Sequence, residues 1–179
     1  MAGSGREERA WIRGAREGSV ADLEALFQHH WPRAYRAAYL VVHDAAAAED
    51  IAQESFLSAV RNLDRFDRRR PFGPWLHRIV VNRAIDWSRS RALRAEVGDA
   101  PLALLAAAER SDNPHARSLA DALASLSPEH RAVIVLRHLL EYTPGEIAEL
   151  LGLPRGTVNS RLRRGLDLLA SQLADEELQ

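Results

Sequence analysis

The chain has 179 residues, 46% hydrophobic and 27% charged, with a formal net charge of -1. This is the balance of a soluble globular protein with room for one domain or two small ones. It holds no cysteine, which excludes disulfides and thiolate metal sites and is compatible with a reducing compartment. The first residues mix acids with arginines and lack an apolar h-region, and the longest apolar run, Leu102 to Ala108, is too short to span a bilayer. A cytoplasmic protein without membrane insertion is expected.

In chain order, Ser19 is a candidate N-cap for a helix carrying Leu23, Leu26 and Phe27 on one face, and Pro32 is expected to kink or divide the helix beyond it. The stretch "AAAAEDIAQESFLSAVRNL" predicts a second helix with Ala48, Ile51, Ala52, Phe56, Ala59, Val60 and Leu63 inward. Its opposite face carries Asp50, Gln53 and Glu54. After the loop "DRFDRRRPFGP", in which Pro74 suits a first helical position, "WLHRIVVNRAIDWSRSR" is apolar at Trp75, Leu76, Ile79, Val80 and Ile85. Arg78, Asn82, Asp86 and Arg89 form its wetter stripe. Gly, Pro, Asn and Asp then concentrate between Arg91 and Arg117, which predicts a linker over 92–117 between domains at 1–91 and 118–179.

Beyond the linker, "LADALASLSPEHRAVIVLRHLL" reads as two helices broken at Ser127-Pro128, a cap followed by a first-turn proline. Thr143 and Glu146 form a capping box with Pro144 as first helical residue, and Ile147, Leu150 and Leu151 face inward. Gly152 can take the left-handed conformation that ends this helix. On the last helix Val158, Leu162, Leu166 and Leu169 recur at spacings of four and three and define the buried face. Gly165 inside it costs roughly 0.5 to 1 kcal/mol relative to alanine; close packing and simple tolerance both account for it. No strand candidate stands out. The predicted fold class is all-α, two small helical domains joined by a flexible linker, the second containing a helix-turn-helix.

Net charge conceals a strong local asymmetry, and charge acts only within a Debye length of ~8 to 10 Å. Arginines far outnumber acids from Ser55 to Arg94, and Arg155 to Arg164 holds four arginines and no acid. The polar face of the last helix presents Asn159, Ser160, Arg163 and Arg164, with Arg155 and Thr157 at its N-terminal end and Arg161 on the flank. Such a helix suits the major groove, where Arg grips guanine, Asn reads adenine and neighbours hold phosphates. The alternative is an amphipathic helix with a solvated basic face.

Catalytic signatures are missing: the seven histidines are scattered with no HExxH pair, and no GxSxG, Walker loop or dinucleotide fingerprint appears. No enzyme, metal, cofactor or small-molecule substrate is expected.

The segments "AEDIAQESFLSAVRNLDRF", "PWLHRIVVNRAIDWSR" and "LSPEHRAVIVLRHLLEYTPGEIAELLGLPRGTVNSRLRRGLDLL", in this order, resemble the two characteristic regions of extracytoplasmic-function sigma factors, the minimal members of the sigma-70 family. The resemblance implies that Asp50, Gln53 and Glu54 contact core RNA polymerase. It implies that the loop and helix holding Arg68, Arg69, Arg70, Phe72, Arg78, Asn82, Arg83 and Arg89 capture the melted -10 element of promoter DNA, with a flipped base beside Asn82. Arg155, Thr157, Asn159, Ser160, Arg161, Arg163 and Arg164 would read the duplex -35 element, and a cognate anti-sigma factor would cover the polymerase-binding faces. Melted strands expose bases and phosphates together, so arginines interleaved with Phe66 and Phe72 supply the ingredients of a single-strand groove. The rival readings are a stand-alone helix-turn-helix regulator, which would need a phosphoacceptor or ligand domain, and a helical adaptor, which leaves both basic faces unexplained.

Overall fold

Local capping decides where the helices begin. The computed structural model describes residues 4–96 and 121–177, and the described residues hold helices and turns without a strand. The N-terminal unit comprises α1 (Ser4–Arg16), α2 (Val20–Val42), α3 (Ala45–Arg61), a 3-10 turn at Leu63–Arg65, and α4 (Phe72–Glu96). The C-terminal unit comprises a helical segment at 121–125, α5 (Pro128–Ile134), a π-helical turn at Val135–Leu139, α6 (Pro144–Leu151) and α7 (Arg155–Glu177). Helix α4 runs past the boundary expected at residue 91. The apolar run Leu102 to Ala108 and most of the expected linker lie outside the described residues.

Ser19 caps α2 by accepting from the Asp22 amide, Ser127 caps α5, and Thr143 and Glu146 close the anticipated capping box on α6. Gly152 ends α6 at φ 66°, a conformation that glycine adopts without the Cβ clash. Asp44 caps α3 by accepting from the Ala47 amide. Of the kink or division expected at Pro32, division does not occur, and α2 runs through it as one helix. The carbonyl its ring deprives of a partner belongs to Gln28, which is exposed, so water can satisfy it.

Helix α2 lies at the centre of the N-terminal unit, packed by α1, α3 and α4. Leu26, Val41, Ile51, Phe56, Phe72, Leu76 and Val80 form its core. Helix α1, which no sequence signal announced, is pinned at both ends. Its Glu8 carboxylate lies 2.9 Å from His30 Nε2. Burial lifts that carboxyl, but the His30 hydrogen bond and charge prevail and hold it below its ordinary range. Arg16 donates to the carbonyls of Leu63, Asp64 and Phe66, satisfying acceptors at the turn that follows α3.

In the C-terminal unit the last helix keeps its expected inner face at three of four positions. Val158, Leu162 and Leu169 are buried, but Leu166 is 42% exposed and Gly165 takes the inward place. Spacings of three and four allow either residue 165 or residue 166 inward between Leu162 and Leu169; Gly165 is the buried one, and its missing side chain lets α7 approach α5. A Cβ on Gly165 would stand 2.7 Å from Ile134 Cδ1 and 3.5 Å from His130 Cβ. The glycine thus sits at a close contact between the two helices. Gly165→Val is expected to destabilise this unit by about 1–3 kcal/mol through overpacking, read as a lower urea midpoint; an unchanged midpoint would refute it.

The π-helical turn adds one residue to the end of α5. The Leu140 amide bonds to the Val135 carbonyl and the Tyr142 amide to the Leu136 carbonyl. Glu141 at φ 62° then reverses the chain. This local irregularity carries Tyr142 toward the N-terminal unit.

Candidate nucleic-acid interface

The first basic surface is built by α4 and the loop before it. Asp67 fixes that loop by accepting from the Arg69 amide, and its carbonyl accepts from Arg70. Arg68, Arg69 and Arg70 remain exposed. Helical spacing then sets Arg78, Asn82, Asp86 and Arg89 along one side of α4, with Arg78, Asp86 and Arg89 exposed and Asn82 half-buried. Asn82 borders a recess of about 250 Å³ shared with Ile85, Asp86 and Arg89.

Two of the expected strand contacts are corrected. Phe72 has no exposed surface, and Phe66 is also buried. Phe72 is the hub of an aromatic cluster, with ring centroids 5.0 Å from His30, 5.6 Å from Trp75 and 5.7 Å from Phe66. Trp75 leans on Phe66 at 4.9 Å and is half-buried. These rings position the arginine loop; they do not offer it stacking faces. Arg83 is also engaged, its guanidinium 2.6 Å from Glu54 Oε2 on α3.

The second surface is the N-terminal half of α7. Its start is set by the Pro154 carbonyl, which accepts from Thr157 and Val158. Val158 and Leu162 anchor the inner face, leaving Arg155, Asn159, Arg163 and Arg164 exposed and Thr157, Ser160 and Arg161 half-buried. The first turn carries no acid, so nothing neutralises its positive dipole end. With α6 and the Gly152 turn before it, this is a helix-turn-helix whose outer face combines base-reading and phosphate-binding side chains.

A third surface is acidic. Asp50, Gln53 and Glu54 are exposed on one side of α3, and Gln53 is steadied by a 3.1 Å hydrogen bond to Glu49. The same side presents Leu57, 51% exposed. Sequence reasoning passed over it, although it lies one helical turn beyond Gln53 and Glu54.

The two units meet along α4 and α2, both of which pack against α5. Arg89 Nε donates to Glu129 Oε1 at 2.7 Å, and His77 Nδ1 lies 2.7 Å from the Tyr142 hydroxyl. Burial lifts the Glu129 carboxyl, but the Arg89 hydrogen bond leads the opposing effects and holds it low. A groove of about 600 Å³ runs beside this seam, walled by Arg65, Arg70, Trp75 and Arg78 on one side and Tyr142, Glu146, Glu149 and Leu150 on the other. The recess at Asn82 is closed by Glu129, Leu151, Leu153 and Arg161 of the C-terminal unit. None of the seam acids was anticipated, because only tertiary packing brings them opposite α4.

Burial, assisted by the charges of His30 and Arg33, pushes His77 down to about 4. Burial and the Arg131 charge do the same to His43. Above pH 6.5 both are neutral folded or unfolded, and stability does not depend on them. Between pH 6.5 and about 4 only the unfolded chain takes up these protons, so stability falls as pH falls. The expected slope reaches about 1.4 kcal/mol per pH unit for each histidine. Urea titrations at stepped pH test this; a flat stability profile across that window would refute it.

Comparison with known proteins supplies a context for these surfaces. A family model described as Sigma-70 region 2 matches residues 26–94, and one described as Sigma-70, region 4 matches residues 116–169. The RNA polymerase sigma factor CarQ of Myxococcus xanthus is 34% identical over 167 residues, covering 92% of this chain and 96% of that protein. The ECF RNA polymerase sigma factor SigW of Bacillus subtilis is 32% identical over 178 residues, covering 89% and 91%. Among solved structures, CnrH in complex with the cytosolic domain of CnrY is similar with a TM-score of 0.70 at 29% identity, covering 94% of this chain and 98% of that chain.

Proposed function

The chain belongs to the extracytoplasmic-function sigma factors of the sigma-70 family, and on that footing we propose how its surfaces divide the work of promoter-specific transcription initiation. The carrying observation is that two arginine-rich faces on separate helical units coincide with the two family regions, in order.

The C-terminal unit, from about residue 118, reads the duplex -35 element. Arg155, Asn159, Arg163 and Arg164 enter the major groove, with Thr157, Ser160 and Arg161 at its margin. The N-terminal unit takes the melted -10 element: Arg68, Arg69, Arg70, Arg78 and Arg89 attract phosphates, and Asn82 hydrogen-bonds a flipped base. Flipping costs a few kcal/mol, recovered by contacts in the pocket. Arg83 joins this surface when it leaves Glu54. Asp50, Gln53 and Glu54 dock on core RNA polymerase, with Leu57 adding apolar contact area that an exposed leucine gains by burial. The chain itself carries out no catalytic step. Among the described residues no helix is long and apolar enough to cross a membrane, and the protein works where the polymerase is, in the cytoplasm. Its partners are core polymerase, promoter DNA and an inhibitory anti-sigma protein; CnrH, the similar solved structure, is bound to a cytosolic domain of another protein.

In vitro transcription with purified core enzyme over genomic fragments tests this reading. Start-site-dependent transcripts are expected only when both proteins are present. Arg163→Ala is expected to weaken -35 binding by about 1–3 kcal/mol if it grips a base, and each phosphate contact adds about -0.9 to the log-log salt slope. A tight footprint by the isolated chain, unaffected by core enzyme, would instead identify a stand-alone helix-turn-helix regulator.

A further inference from the structure

We propose that Arg16 is a positioning residue for promoter opening, reaching from α1 to fix the base of the loop that presents Arg68, Arg69 and Arg70 to the melted strand. The inference rests on the assignment of that loop to melted DNA. Three observations carry it. The Arg16 guanidinium donates from Nε to the Leu63 carbonyl at 2.9 Å, and from Nη2 to the carbonyls of Asp64 and Phe66. Its side chain is only 18% exposed, yet the acid paired with it, Asp64, stands off at 3.8 Å on a side chain that is 90% exposed. The cation is therefore satisfied chiefly by backbone. The third observation is where those carbonyls end: Phe66 is buried, Asp67 to Pro71 are exposed, and Phe72 is buried again.

The turn that precedes the loop does not secure itself. Asn62 gives it no side-chain cap and sends its own amide back to the Ser58 carbonyl. A planar guanidinium can serve several acceptors in a fixed geometry, which the ammonium of a lysine on its flexible stem does not match. The turn between α1 and α2 sets the aim of that fork. The Ser19 amide bonds to the Gly14 carbonyl at 2.9 Å, and Gly18 takes φ 90°. A Cβ on Gly14 would collide with the Asp22 carboxylate, so the two helices cross closely.

Ordering a backbone segment at the moment of binding subtracts from affinity. A loop already held at the Phe66 carbonyl leaves chiefly its arginine side chains to be placed on the strand. Helix α1 thus acts on melted DNA without touching it.

The variants are Arg16→Ala and Arg16→Lys, the second keeping the charge and most of the stem. Val41→Ala, a core truncation on α2 outside the loop, serves as the control for lost stability. Amide hydrogen exchange over residues 64–70 reads the loop, because exchange reports local opening. Permanganate reactivity with core polymerase, on a genomic fragment that the parent transcribes, reads strand opening. Both Arg16 variants are expected to exchange faster in the loop and to open the fragment about five- to tenfold less well, since apparent affinity scales with the fraction of loops in the competent arrangement. Duplex capture through α7 is expected to stay at the parental level. Val41→Ala is expected to lower the urea midpoint while leaving loop exchange and opening unchanged.

If Arg16→Lys opens the fragment as the parent does, only the charge matters and the positioning role falls. It falls equally if Val41→Ala loses as much opening, or if Arg16→Ala and Arg16→Lys leave loop exchange unchanged. Normal opening by both Arg16 variants, alongside impaired opening by Arg68→Ala with Arg69→Ala, would overturn the role of Arg16 while the loop's assignment to the strand stands. Normal opening by that double variant would remove the loop from the strand-reading surface altogether.

Discussion

Phe72→Ala is expected to destabilise the N-terminal unit by about 3–5 kcal/mol, the range for emptying a buried phenylalanine site. Phe72 opens α4, has no exposed surface, and is ringed by His30, Phe56, Phe66 and Trp75. Its removal leaves a void that α4 cannot close alone, because α2 and α3 also pack against that helix. The loss should appear as a large drop in the urea midpoint. Phe72→Leu retains much of the buried volume and should lose far less. Binding to single-stranded DNA distinguishes this reading from the sequence-based one. A folded Phe72→Ala protein with normal stability and weakened strand binding would mean that the ring touches DNA after all.

Asn82→Ala is expected to have the largest functional effect among single polar substitutions. The side chain is half-buried beside a recess, so truncation leaves the fold within about 0.5–1 kcal/mol of the parent. A bidentate amide contact to a base edge contributes about 1–3 kcal/mol, which corresponds to roughly five- to 150-fold in the equilibrium for opening. Duplex capture through α7 should be nearly unchanged, since that helix belongs to the other unit. Permanganate reactivity of melted thymines, measured with core polymerase, separates the two steps. Normal melting by Asn82→Ala would remove this residue from the base pocket.

The features legible in the sequence were those set by nearest neighbours. Ser19, Ser127, Thr143, Glu146 and Gly152 occupy the capping roles their chemistry predicts, since each cap depends on a side chain reaching a backbone group within a few residues. The faces of α3 were readable for the same reason. Phe66 and Phe72 were misread because the charges flanking them describe the loop, whereas burial of the rings depends on His30 and Phe56, remote in sequence. Leu166 was misread because spacings of three and four fit residue 165 as well as 166, and only the close approach of α5 at Ile134 and His130 selects Gly165. The π-helical turn has no composition of its own, and the seam acids acquire meaning only once two units meet. Of the proposed DNA contacts, Arg155, Asn159, Arg163, Arg164 and the Arg68 to Arg70 loop lie on accessible surface, while Arg83 and Arg89 are held by glutamates.

The placement of Trp75 gives the molecule an internal optical gauge. All four tryptophans, Trp11, Trp31, Trp75 and Trp87, precede the C-terminal unit, so every indole reports from a position in the first half of the chain. Only Trp75 among them lines the larger groove, where Tyr142 lines the other wall. Separation of the halves would hydrate this indole and redden its emission, whereas melting confined to the last helices would leave the other three indoles spectrally silent.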